Sequence, residues 1–393
     1  MKVAVVHAEY QQPGGEDVAA AAEAALLEAH GHPVVHYHAH NRDLARVGRV
    51  RAARTAIWNR AAYGELRALF RAERPHVAHF HNTWPLISPA AYYAARDENI
   101  PVVQTLHNYR LICPNALLFR DGHPCEDCVG RRVAWPGVLH ACYRGSRPAS
   151  AVAAGMLALH RARGTWRQRV HVYVALTEFA RREFIAGGLP AERIAVKPNV
   201  LGSGPGTGAH GGGFALFVGR LSPEKGLGTL LDAWRTLGAT RSATLRLRIV
   251  GAGPLDTLRA SSPPGVEWLG HLPHEQVLAL MRDAALLVLP SECYEGLPMT
   301  LLEAFATGLP VVASAHGAMA EAIDDGVTGL LFTPGDGNAL AAMLDRALSS
   351  PALLADMGRA ARREFEGHYS AEQNYPRLLA IYEAAAERMR AEG

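Results

Sequence analysis

The sequence predicts an α/β fold in which parallel sheets are covered by helices. Short apolar runs alternate with amphipathic stretches along most of the chain, a pattern typical of doubly wound sheets. At 393 residues the chain is too long for one ordinary core, so we expect two domains. Hydrophobic residues make up 49% of the chain and charged residues 20%, which is enough apolar material for two cores and excludes wholesale disorder.

The first half of the chain is interpreted as one domain, residues 1–200. Its apolar runs predict strands at residues 2–7, 33–38, 76–80, 101–106 and 171–176, and its amphipathic stretches predict helices at 16–30, 59–73 and 88–98. Residues 110–150 have little hydrophobic periodicity and several prolines and glycines. We therefore expect them to form a long, cysteine-rich insertion in this domain.

The second half predicts another domain of the same class, residues 214–370. Its strands are expected at 214–219, 245–250, 266–269, 285–290 and 310–313, each followed by a loop and a helix. Seven of the twelve residues from Gly202 to Gly213 are glycine, which predicts a linker at 201–213. In segment 371–393, apolar residues recur at helical spacing, so this segment should be a helix that docks on a domain.

The two halves differ in charge, which suggests that they have different partners. Residues 1–200 carry 25 Lys and Arg against 16 Asp and Glu, whereas the remainder carries 15 against 21. Only three cationic side chains are lysine: Lys2, Lys197 and Lys225. No apolar run approaches the length of a membrane span, and the chain enters a strand at once rather than a signal peptide, so we expect a cytoplasmic protein.

The segment that follows the strand at 285–290 carries the strongest chemical signal. Its loop holds Glu295, Gly296, Leu297 and Pro298, and the next helix holds Glu303. The N-terminus of that helix offers backbone N–H groups to an anion beyond the carboxyl end of the sheet. A carboxylate can accept two hydrogen bonds from a vicinal diol, so Glu303 suits a ribose and Glu295 a sugar ring. The alternative is that Glu303 pairs on the helix surface and Glu295 is a solvated loop residue.

Two further loops could bind phosphate. Arg220 and Lys225 lie five positions apart in a loop rich in glycine and proline, and they could converge on a diphosphate. A solvated turn is the alternative. Near the start of the chain, Gly14 and Gly15 follow Pro13 and open a helix, so the backbone could approach a ligand closely.

Together these residues resemble the retaining glycosyltransferases of family four, which have the GT-B fold. That fold has two Rossmann-like domains facing a cleft, with a C-terminal helix that crosses back to the first domain. The motifs that carry the resemblance are Gly14-Gly15-Glu16, His79-Phe80-His81-Asn82, Thr105-Leu106-His107-Asn108, Pro198-Asn199, Gly219-Arg220 through Lys225-Gly226, Glu295 to Glu303, and Gly308-Leu309-Pro310-Val311-Val312. The most specific is the pair of glutamates separated by seven residues.

The resemblance implies a role for each site residue. Arg220 and Lys225 would hold the donor diphosphate, Glu303 the ribose hydroxyls and Glu295 the donor sugar. His107 would lie at the reaction centre. From the residues alone, His107 could donate a hydrogen bond to a sugar hydroxyl near neutral pH, and a structural interpretation is favoured for His7, His79 and His81. The remaining donor-binding positions would be Gly14, Gly15, Gly296, Leu297 and Pro298. At Glu295–Pro298 the chain departs from the Phe-Gly pair that is common in the family, which leaves the donor sugar open.

The implied activity is transfer of a sugar with retention of configuration and without a catalytic metal. The donor would be a nucleotide diphosphate sugar, with a UDP-sugar favoured, and the acceptor a hydroxyl of a glycan, a lipid-linked saccharide or a small secondary metabolite. Front-face attack, in which the leaving phosphate takes the acceptor proton, is the expected mechanism. Epimerisation of a nucleotide sugar and phosphorolysis are the alternatives within this fold.

Four cysteines lie within the predicted insertion. Cys113, Cys125, Cys128 and Cys142 have a spacing typical of a structural zinc site with four thiolates. Free or redox-active thiols and disulfides are the alternatives. A zinc-stapled nucleic-acid-binding protein is a remote alternative function, disfavoured because the scattered arginines form no continuous basic stripe with stacking aromatics.

The stretch from Arg42 to Arg74 is rich in arginine. A solvated helix face is the ordinary interpretation of such a pattern. Peripheral contact with the inner face of a membrane, or with a lipid-linked acceptor, is the alternative. The oligomeric state does not follow from the sequence.

Overall fold

A computed structural model describes residues 1–9, 14–41, 48–202, 204–240 and 246–392. Pro13, the first residues of the arginine-rich stretch (42–47) and linker residue Ser203 lie outside the described residues. The chain divides into two compact units. The first unit consists of Met1–Leu118, Glu126–Gly202 and Ala371–Gly393, and the second of Phe119–Cys125 and Ser203–Ser370.

The first unit is built on a six-stranded parallel sheet. Its strands are β1 (Val3–Glu9), β2 (Val34–His40), β3 (Val77–Phe80), β4 (Val102–Leu106), β7 (Val172–Ala175) and β8 (Ile194–Val196). They lie in the order β2-β1-β3-β4-β7-β8. A two-stranded hairpin, β5 (Phe119–Arg120) and β6 (His123–Pro124), is separate from this sheet.

Helices alternate with these strands, as the sequence pattern predicts. They are α1 (Gly15–Ala29), α2 (Arg49–Ile57), α3 (Arg60–Glu73), α4 (Ala90–Asp97), α5 (Trp135–Leu139), α6 (Arg147–Ala162), α7 (Thr165–Gln168) and α8 (Glu178–Ala186). Each long helix turns its apolar residues inward. In α3, for example, Leu66 and Phe70 are fully buried four positions apart, which is one helical turn.

The second unit contains another six-stranded parallel sheet. Its strands are β9 (Phe214–Val218), β10 (Arg246–Val250), β11 (Val266–Gly270), β12 (Leu286–Leu289), β13 (Val311–Ser314) and β14 (Gly329–Phe332). Their order is β11-β10-β9-β12-β13-β14, the strand order of a dinucleotide-binding Rossmann fold. Its helices are α9 (Leu227–Thr240), α10 (His274–Asp283), α11 (Met299–Thr307), α12 (Gly317–Ala322), α13 (Gly337–Leu348) and α14 (Pro351–Glu364).

The last helix, α15 (Ala371–Glu392), packs on the sheet of the first unit. Leu378, Ile381 and Tyr382 are buried in the same core as Val3 and Val103. The predicted fold class is therefore confirmed: both large sheets are parallel, helices cover them, and the C-terminal helix belongs to the first unit. Within the described residues, no helix combines the length and the apolar character that crossing a bilayer would need.

The glycine-rich segment between the units has a different role from the one its composition predicts. Three of its backbone N–H groups donate hydrogen bonds within the second unit: Gly208 to Thr307, His210 to Arg282 and Gly212 to Asp283. A Cβ atom on Gly208 would lie 2.2 Å from the Arg282 carbonyl oxygen. Glycine is required at this position because the segment passes so close to another backbone, not because a hinge must be flexible.

Each sheet has one point at which the order of its strands reverses. This point lies between β1 and β3 in the first sheet and between β9 and β12 in the second. Loops diverge there beyond the carboxyl ends of the strands, and ligands of open α/β sheets bind in the resulting crevice. These two positions are where a functional site is expected.

Candidate active site

In the second unit, the loops that follow β9 and β12 pack directly against each other. Gly226 ends the first loop with φ of 68°, and a Cβ atom there would lie 1.8 Å from the carbonyl oxygen of Pro290 in the second loop. The Glu292 N–H also donates a hydrogen bond to the Glu224 carbonyl oxygen, at 2.9 Å. These contacts hold the basic and acidic residues of the predicted donor site side by side.

Lys225 and Glu295 form an ion pair at the strand-order reversal. The Lys225 Nζ atom lies 2.6 Å from Glu295 Oε1, and the Ser291 hydroxyl donates to the same oxygen at 2.6 Å. Burial opposes both charges, but the ion pair outweighs it. The pKa of Lys225 is therefore raised and that of Glu295 lowered, so both groups are ionised at neutral pH.

Arg220 is anchored at one side and open at the other. Its guanidinium donates to the buried Glu224 carboxylate and, at 3.2 Å, to the Ser222 hydroxyl, while 56% of its side chain is exposed. Burial would raise the pKa of Glu224, but the hydrogen bond from Ser222 and the charge of Arg220 lower it overall. An arginine held in this way is oriented in advance for a planar anion.

Glu303 lies on α11, which begins directly after Pro298 and ends at Gly308. Its carboxylate is buried, and Oε1 lies 2.8 Å from the Nε2 atom of His274, whose side chain is 53% exposed. The hydrogen bond to Glu303 raises the pKa of His274. Sequence reasoning singled out neither His274 nor Ser291, because each becomes informative only through the glutamate that it contacts.

The remaining loop positions contribute mainly backbone. Leu297 is buried in the core of the second unit, and Gly296 and Pro298 are partly exposed next to it. Pro298 immediately precedes α11, where its missing N–H costs nothing because the first turn of a helix has unpaired donors. The Leu301 N–H of that first turn donates to the Pro298 carbonyl oxygen at 3.1 Å, so Met299 and Thr300 are the residues whose N–H groups could bind an anion.

The carboxyl edge of the first sheet has a different chemistry, dominated by histidine. His107 directly follows β4, and its Nε2 atom lies 2.9 Å from His81 Nδ1. Burial lowers the pKa of His107 to about 3 and lowers that of His81 as well. Both rings are therefore neutral at physiological pH.

The neighbouring charges favour one tautomer of His107. The Glu23 carboxylate lies 3.6 Å from His81 Nε2, which favours a proton on that nitrogen. His81 Nδ1 then accepts a hydrogen bond from His107 Nε2. The buried Nδ1 atom of His107, which has no hydrogen-bond partner within the described part of the chain, carries a lone pair. We expected His107 to donate a hydrogen bond to a sugar hydroxyl; this arrangement instead suits it to accept one.

Glu23 itself is part of a buried charged network. Its Oε2 atom lies 2.8 Å from Lys197 Nζ, and its Oε1 atom 2.9 Å from His79 Nδ1. Burial would raise the pKa of Glu23, but Lys197 and the histidines lower it well below its usual value. Glu23, His79 and His81 have the spacing of three metal ligands, but the ammonium group of Lys197 already neutralises the carboxylate.

Gly14 and Gly15 lie at the start of α1. The Gly14 N–H donates to Asp17 Oδ2 at 2.7 Å, and the other oxygen of Asp17 lies 2.7 Å from His7 Nε2. Asp17 and Glu16 place two carboxylates in the first turn of this helix. Because they compensate the positive end of the helix dipole, the geometry adds no support for a phosphate at Gly14 and Gly15.

The structure does not gather the four cysteines of the predicted zinc site. Among the described residues, which include the whole insertion, the one group of three or more ligand atoms within 4.8 Å is that of Glu23, His79 and His81. Cys113 is buried and donates to Asn115 Oδ1 at 2.9 Å. The geometry therefore gives the zinc interpretation no support, and it stays a prediction for metal analysis.

Two family models together match most of the chain. The model described as Glycosyltransferase Family 4 matches residues 13–201, and the model described as Glycosyl transferases group 1 matches residues 208–364. The chain therefore belongs to the glycosyltransferases of family four, and the resemblance seen in its motifs is confirmed.

Individual relatives match over part of their length. The amylovoran biosynthesis glycosyltransferase AmsK of Erwinia amylovora is 32% identical over 222 residues, which cover 52% of this chain and 54% of AmsK. The phosphatidyl-myo-inositol mannosyltransferase of Mycobacterium leprae is 32% identical over 233 residues, which cover 56% of this chain and 61% of that protein. The chain thus spans about half to three fifths of these curated relatives.

Solved structures match over the full length. HepE of Anabaena, crystallised in complex with UDP, has a TM-score of 0.65 at 18% identity and covers 100% of both chains. Sucrose-phosphate synthase from Thermosynechococcus elongatus has a TM-score of 0.70 at 16% identity and covers 98% of each chain. These likenesses show the shared fold, and the expected GT-B fold is confirmed.

Proposed function

We propose that the protein is a retaining glycosyltransferase that transfers a sugar from a nucleotide diphosphate sugar, favouring UDP, to a hydroxyl group. The observation that carries this proposal is the Lys225–Glu295 ion pair beside Arg220 at the strand-order reversal of the second sheet. A cation for the diphosphate and a carboxylate for sugar hydroxyls meet where a nucleotide is expected. The UDP complex of HepE supports the same choice of donor.

Binding of the donor would redistribute the contacts of this pair. Lys225 and Arg220 would turn to the diphosphate oxygens, while Glu295 keeps the Ser291 hydroxyl and accepts hydrogen bonds from the sugar. Glu303, which is buried, would accept hydrogen bonds from the ribose hydroxyls, with His274 orienting its carboxylate. Lys225 and Glu295 are both charged before the donor arrives, so donor binding changes their partners and not their protonation.

The proposed reaction breaks the bond between the anomeric carbon and the phosphate oxygen and forms a bond from that carbon to the acceptor oxygen on the same face. The acceptor proton passes to the leaving phosphate. Negative charge develops on the diphosphate, and Arg220, Lys225 and the N-terminus of α11 stabilise it without a metal ion. The lone pair of His107 would orient a sugar hydroxyl by accepting its hydrogen bond.

The acceptor classes that we propose are a glycan, a lipid-linked saccharide and a small metabolite. The names of the amylovoran biosynthesis glycosyltransferase AmsK and of the phosphatidyl-myo-inositol mannosyltransferase support the first two. Epimerisation and phosphorolysis use the same fold, and product analysis separates them. An epimerase releases no glycoside, and a phosphorylase requires inorganic phosphate.

Thermal-shift measurements with UDP-, GDP-, ADP- and dTDP-sugars test the proposed donor. A ligand that binds the folded state at 100 times its Kd stabilises that state by about 2.7 kcal/mol, so the preferred donor should raise the Tm clearly. Incubation of that donor with candidate acceptors, followed by NMR of the product, gives the anomeric configuration.

Glu295→Gln tests the site itself, and Glu292→Gln is its matched control. Both glutamates lie in the loop after β12, but Glu292 pairs with Thr229, at 2.6 Å, rather than with Lys225. Donor-dependent transfer should be lost in the first variant and kept in the second. Equal transfer by both variants, or a product of inverted configuration, would contradict the proposal.

A further inference from the structure

We propose that residues 131–147 of the first unit form a surface that docks on an anionic lipid bilayer. This surface, called here the 131–147 surface, includes α5 and the turns on either side of it. Its apolar members are Val133, Trp135 and Leu139. Its basic members are Arg131, Arg132, Arg144 and Arg147.

The apolar side chains of this surface are exposed to an unusual degree. Val133 is 49% exposed, Trp135 53% and Leu139 52%. In the described part of the chain, the other exposed large hydrophobic residues lie far apart in sequence: Met1 and Val18, each 37% exposed, Val50 and Val327. Single exposed apolar residues are ordinary, but three within seven positions indicate a contact surface.

The segment that carries these side chains is fixed in place. Ala134, Pro136 and Gly137 alternate with the exposed residues and are buried. A Cβ atom on Gly137 would lie 2.8 Å from Pro114 Cγ, so the backbone packs tightly against the rest of the unit. Because the inner residues anchor the segment, the outer ones are held in solvent rather than exposed by loose packing.

The charge along the sequence of this surface is of one sign. The fifty residues from Cys128 to Thr177 contain no Asp or Glu, but they contain eight arginines. The four arginines of the 131–147 surface are all exposed. Acidic residues therefore do not interrupt the basic character of this stretch of sequence, and Glu126 and Asp127 directly precede it.

Two contacts join the basic and apolar groups into one surface. The Arg131 guanidinium lies over the Trp135 ring, 5.4 Å from its centroid. Arg147 Nε donates to the Leu139 carbonyl oxygen at 3.2 Å, which keeps this guanidinium beside Leu139. Each of the two most exposed apolar side chains thus has an arginine next to it.

A bilayer that contains anionic lipid is the occupant that fits both features. Tryptophan and leucine enter the boundary between headgroups and acyl chains, and arginine binds the phosphates at the same depth. A nucleic acid would satisfy the arginines but leave Val133 and Leu139 in water. A second copy of the surface would place like charges opposite each other, which opposes self-association.

This location differs from the one that the sequence suggested. The described part of the Arg42–Arg74 stretch includes α2, whose exposed residues are arginines and the single apolar residue Val50. Charge alone binds membranes weakly, whereas the 131–147 surface combines charge with insertable side chains. The inference does not depend on the proposed transfer reaction, because lipid binding needs no donor.

Sedimentation with vesicles tests the proposal on the full chain. The protein should sediment with vesicles of 30% phosphatidylglycerol in phosphatidylcholine, far less with pure phosphatidylcholine, and less as salt rises. Trp135→Ser/Leu139→Ser should abolish the binding at 150 mM salt, and Arg131→Gln/Arg132→Gln should weaken it about 25-fold, about fivefold for each arginine. Val327→Ser and Arg235→Gln/Arg346→Gln are matched controls in the second unit.

Trp135 also provides a direct optical readout. Its fluorescence should shift to the blue when vesicles are added, and Trp135→Phe should remove that shift while the protein still sediments. Circular dichroism and the donor-induced thermal shift report whether each variant is folded. Three results would overturn the proposal: equal binding to neutral vesicles, unchanged binding by folded Trp135→Ser/Leu139→Ser, or a dimer in sedimentation velocity that these substitutions dissolve.

Discussion

The carboxyl edges of the two sheets occupy the same position in the topology of their sheets, but they carry different kinds of side chain. In the second sheet, the loops at this edge present ionised side chains that are partly reachable by solvent, with Lys225 paired to Glu295 and Arg220 anchored on Glu224. In the first sheet, the edge presents neutral imidazoles above a buried ion pair of Glu23 and Lys197. The charged edge suits a phosphorylated donor, and the neutral edge suits hydroxyl groups.

The difference between the edges shows how burial decides the use of a charge. The side chain of Lys197 is 2% exposed and that of Lys225 is 26% exposed, although each ammonium group lies within 3 Å of a glutamate. A fully buried pair cannot exchange its partner for a ligand, so its role is structural. A partly exposed pair can do so, which is why we propose that the Lys225–Glu295 pair binds the donor.

The largest effect is expected from Lys197→Met. The substitution leaves the Glu23 carboxylate buried and uncompensated, which should cost about 3–5 kcal/mol of unfolding free energy. The double variant Lys197→Met/Glu23→Gln should recover much of the loss, because both charges are then absent. Urea denaturation at pH 7 measures both values, and a single variant as stable as the wild type would show that this ion pair is unimportant.

Acid should remove the same contribution from the wild-type protein. The folded-state pKa of Glu23 is depressed, so its contribution is complete above the pKa of the unfolded state and is lost as the pH falls through the folded-state pKa. The difference in unfolding free energy between the wild type and Lys197→Met/Glu23→Gln should shrink accordingly below about pH 4.5. A constant difference down to pH 2 would contradict this assignment.

The next largest effect is expected at the carboxyl edge of the second sheet, on the rate of sugar transfer. Lys225→Met should lower kcat by about 100-fold to 1000-fold, because one preorganised positive charge on the leaving diphosphate is lost. Lys2→Met is the matched control. Lys2 pairs with Glu73 at 3.1 Å at the amino end of β1, whereas the proposed site lies at a carboxyl edge. If both lysine variants transferred sugar at the same rate, Lys225 would not act on the reaction.

Substitution of His107 should lower kcat less than substitution of Lys225, and the dependence of the rate on pH tests its protonation state. His107→Leu should lower kcat about 10-fold or more through the loss of one hydrogen bond, and His107→Asn should retain more activity because its amide oxygen can occupy the position of Nδ1. Since burial lowers the pKa of His107 to about 3, its protonation should not affect rates between pH 5 and 8. A wild-type rate profile with a pKa near 6.5 that His107→Leu removes would contradict the neutral assignment.

The smallest effect is expected at His274. Its folded-state pKa is raised by Glu303, so the stabilisation is complete below the unfolded-state pKa and is lost as the pH rises through the folded-state value. His274→Gln should therefore lower the Tm more at pH 5.5 than at pH 9. The exposed imidazole limits the effect to about 0.5 kcal/mol. An equal loss of Tm at both pH values would show that the His274–Glu303 ion pair does not stabilise the protein.

The alternation of apolar and amphipathic segments was sufficient to predict most of the fold. The expected strand at 285–290 and helix near Pro298 correspond to β12 and α11, because a buried apolar run and a proline at a helix start are local signals. The strand β8 was missed because its three residues give too little periodicity to detect, and β14 because it begins with Gly329, which leaves an apolar run of only three residues. Helix α2 was missed because three arginines interrupt its apolar residues, of which Ala56 is the buried one.

The candidate site was predictable as a set of residues but not as a set of contacts. Arg220, Lys225, Glu295 and Glu303 lie in recognisable motifs, yet the hydrogen bond from Ser291 and the ion pair with His274 depend on tertiary packing. Glu23 and Lys197 are 174 positions apart in sequence, and no local pattern joins them. The tautomer of His107 depends on its contact with His81, which follows β3, and on the nearby Glu23 of α1. The identity of residue 107 alone could not predict it.

The central claim is that the charged edge of the second sheet holds a nucleotide diphosphate. Calorimetric titration of UDP and of uridine into the wild type and Lys225→Met tests it most directly. Lys225→Met should weaken the binding of UDP by about 10-fold or more and leave that of uridine unchanged, since only UDP has phosphates for the ammonium to contact. If Lys225→Met bound UDP with the wild-type Kd, the claim would be contradicted.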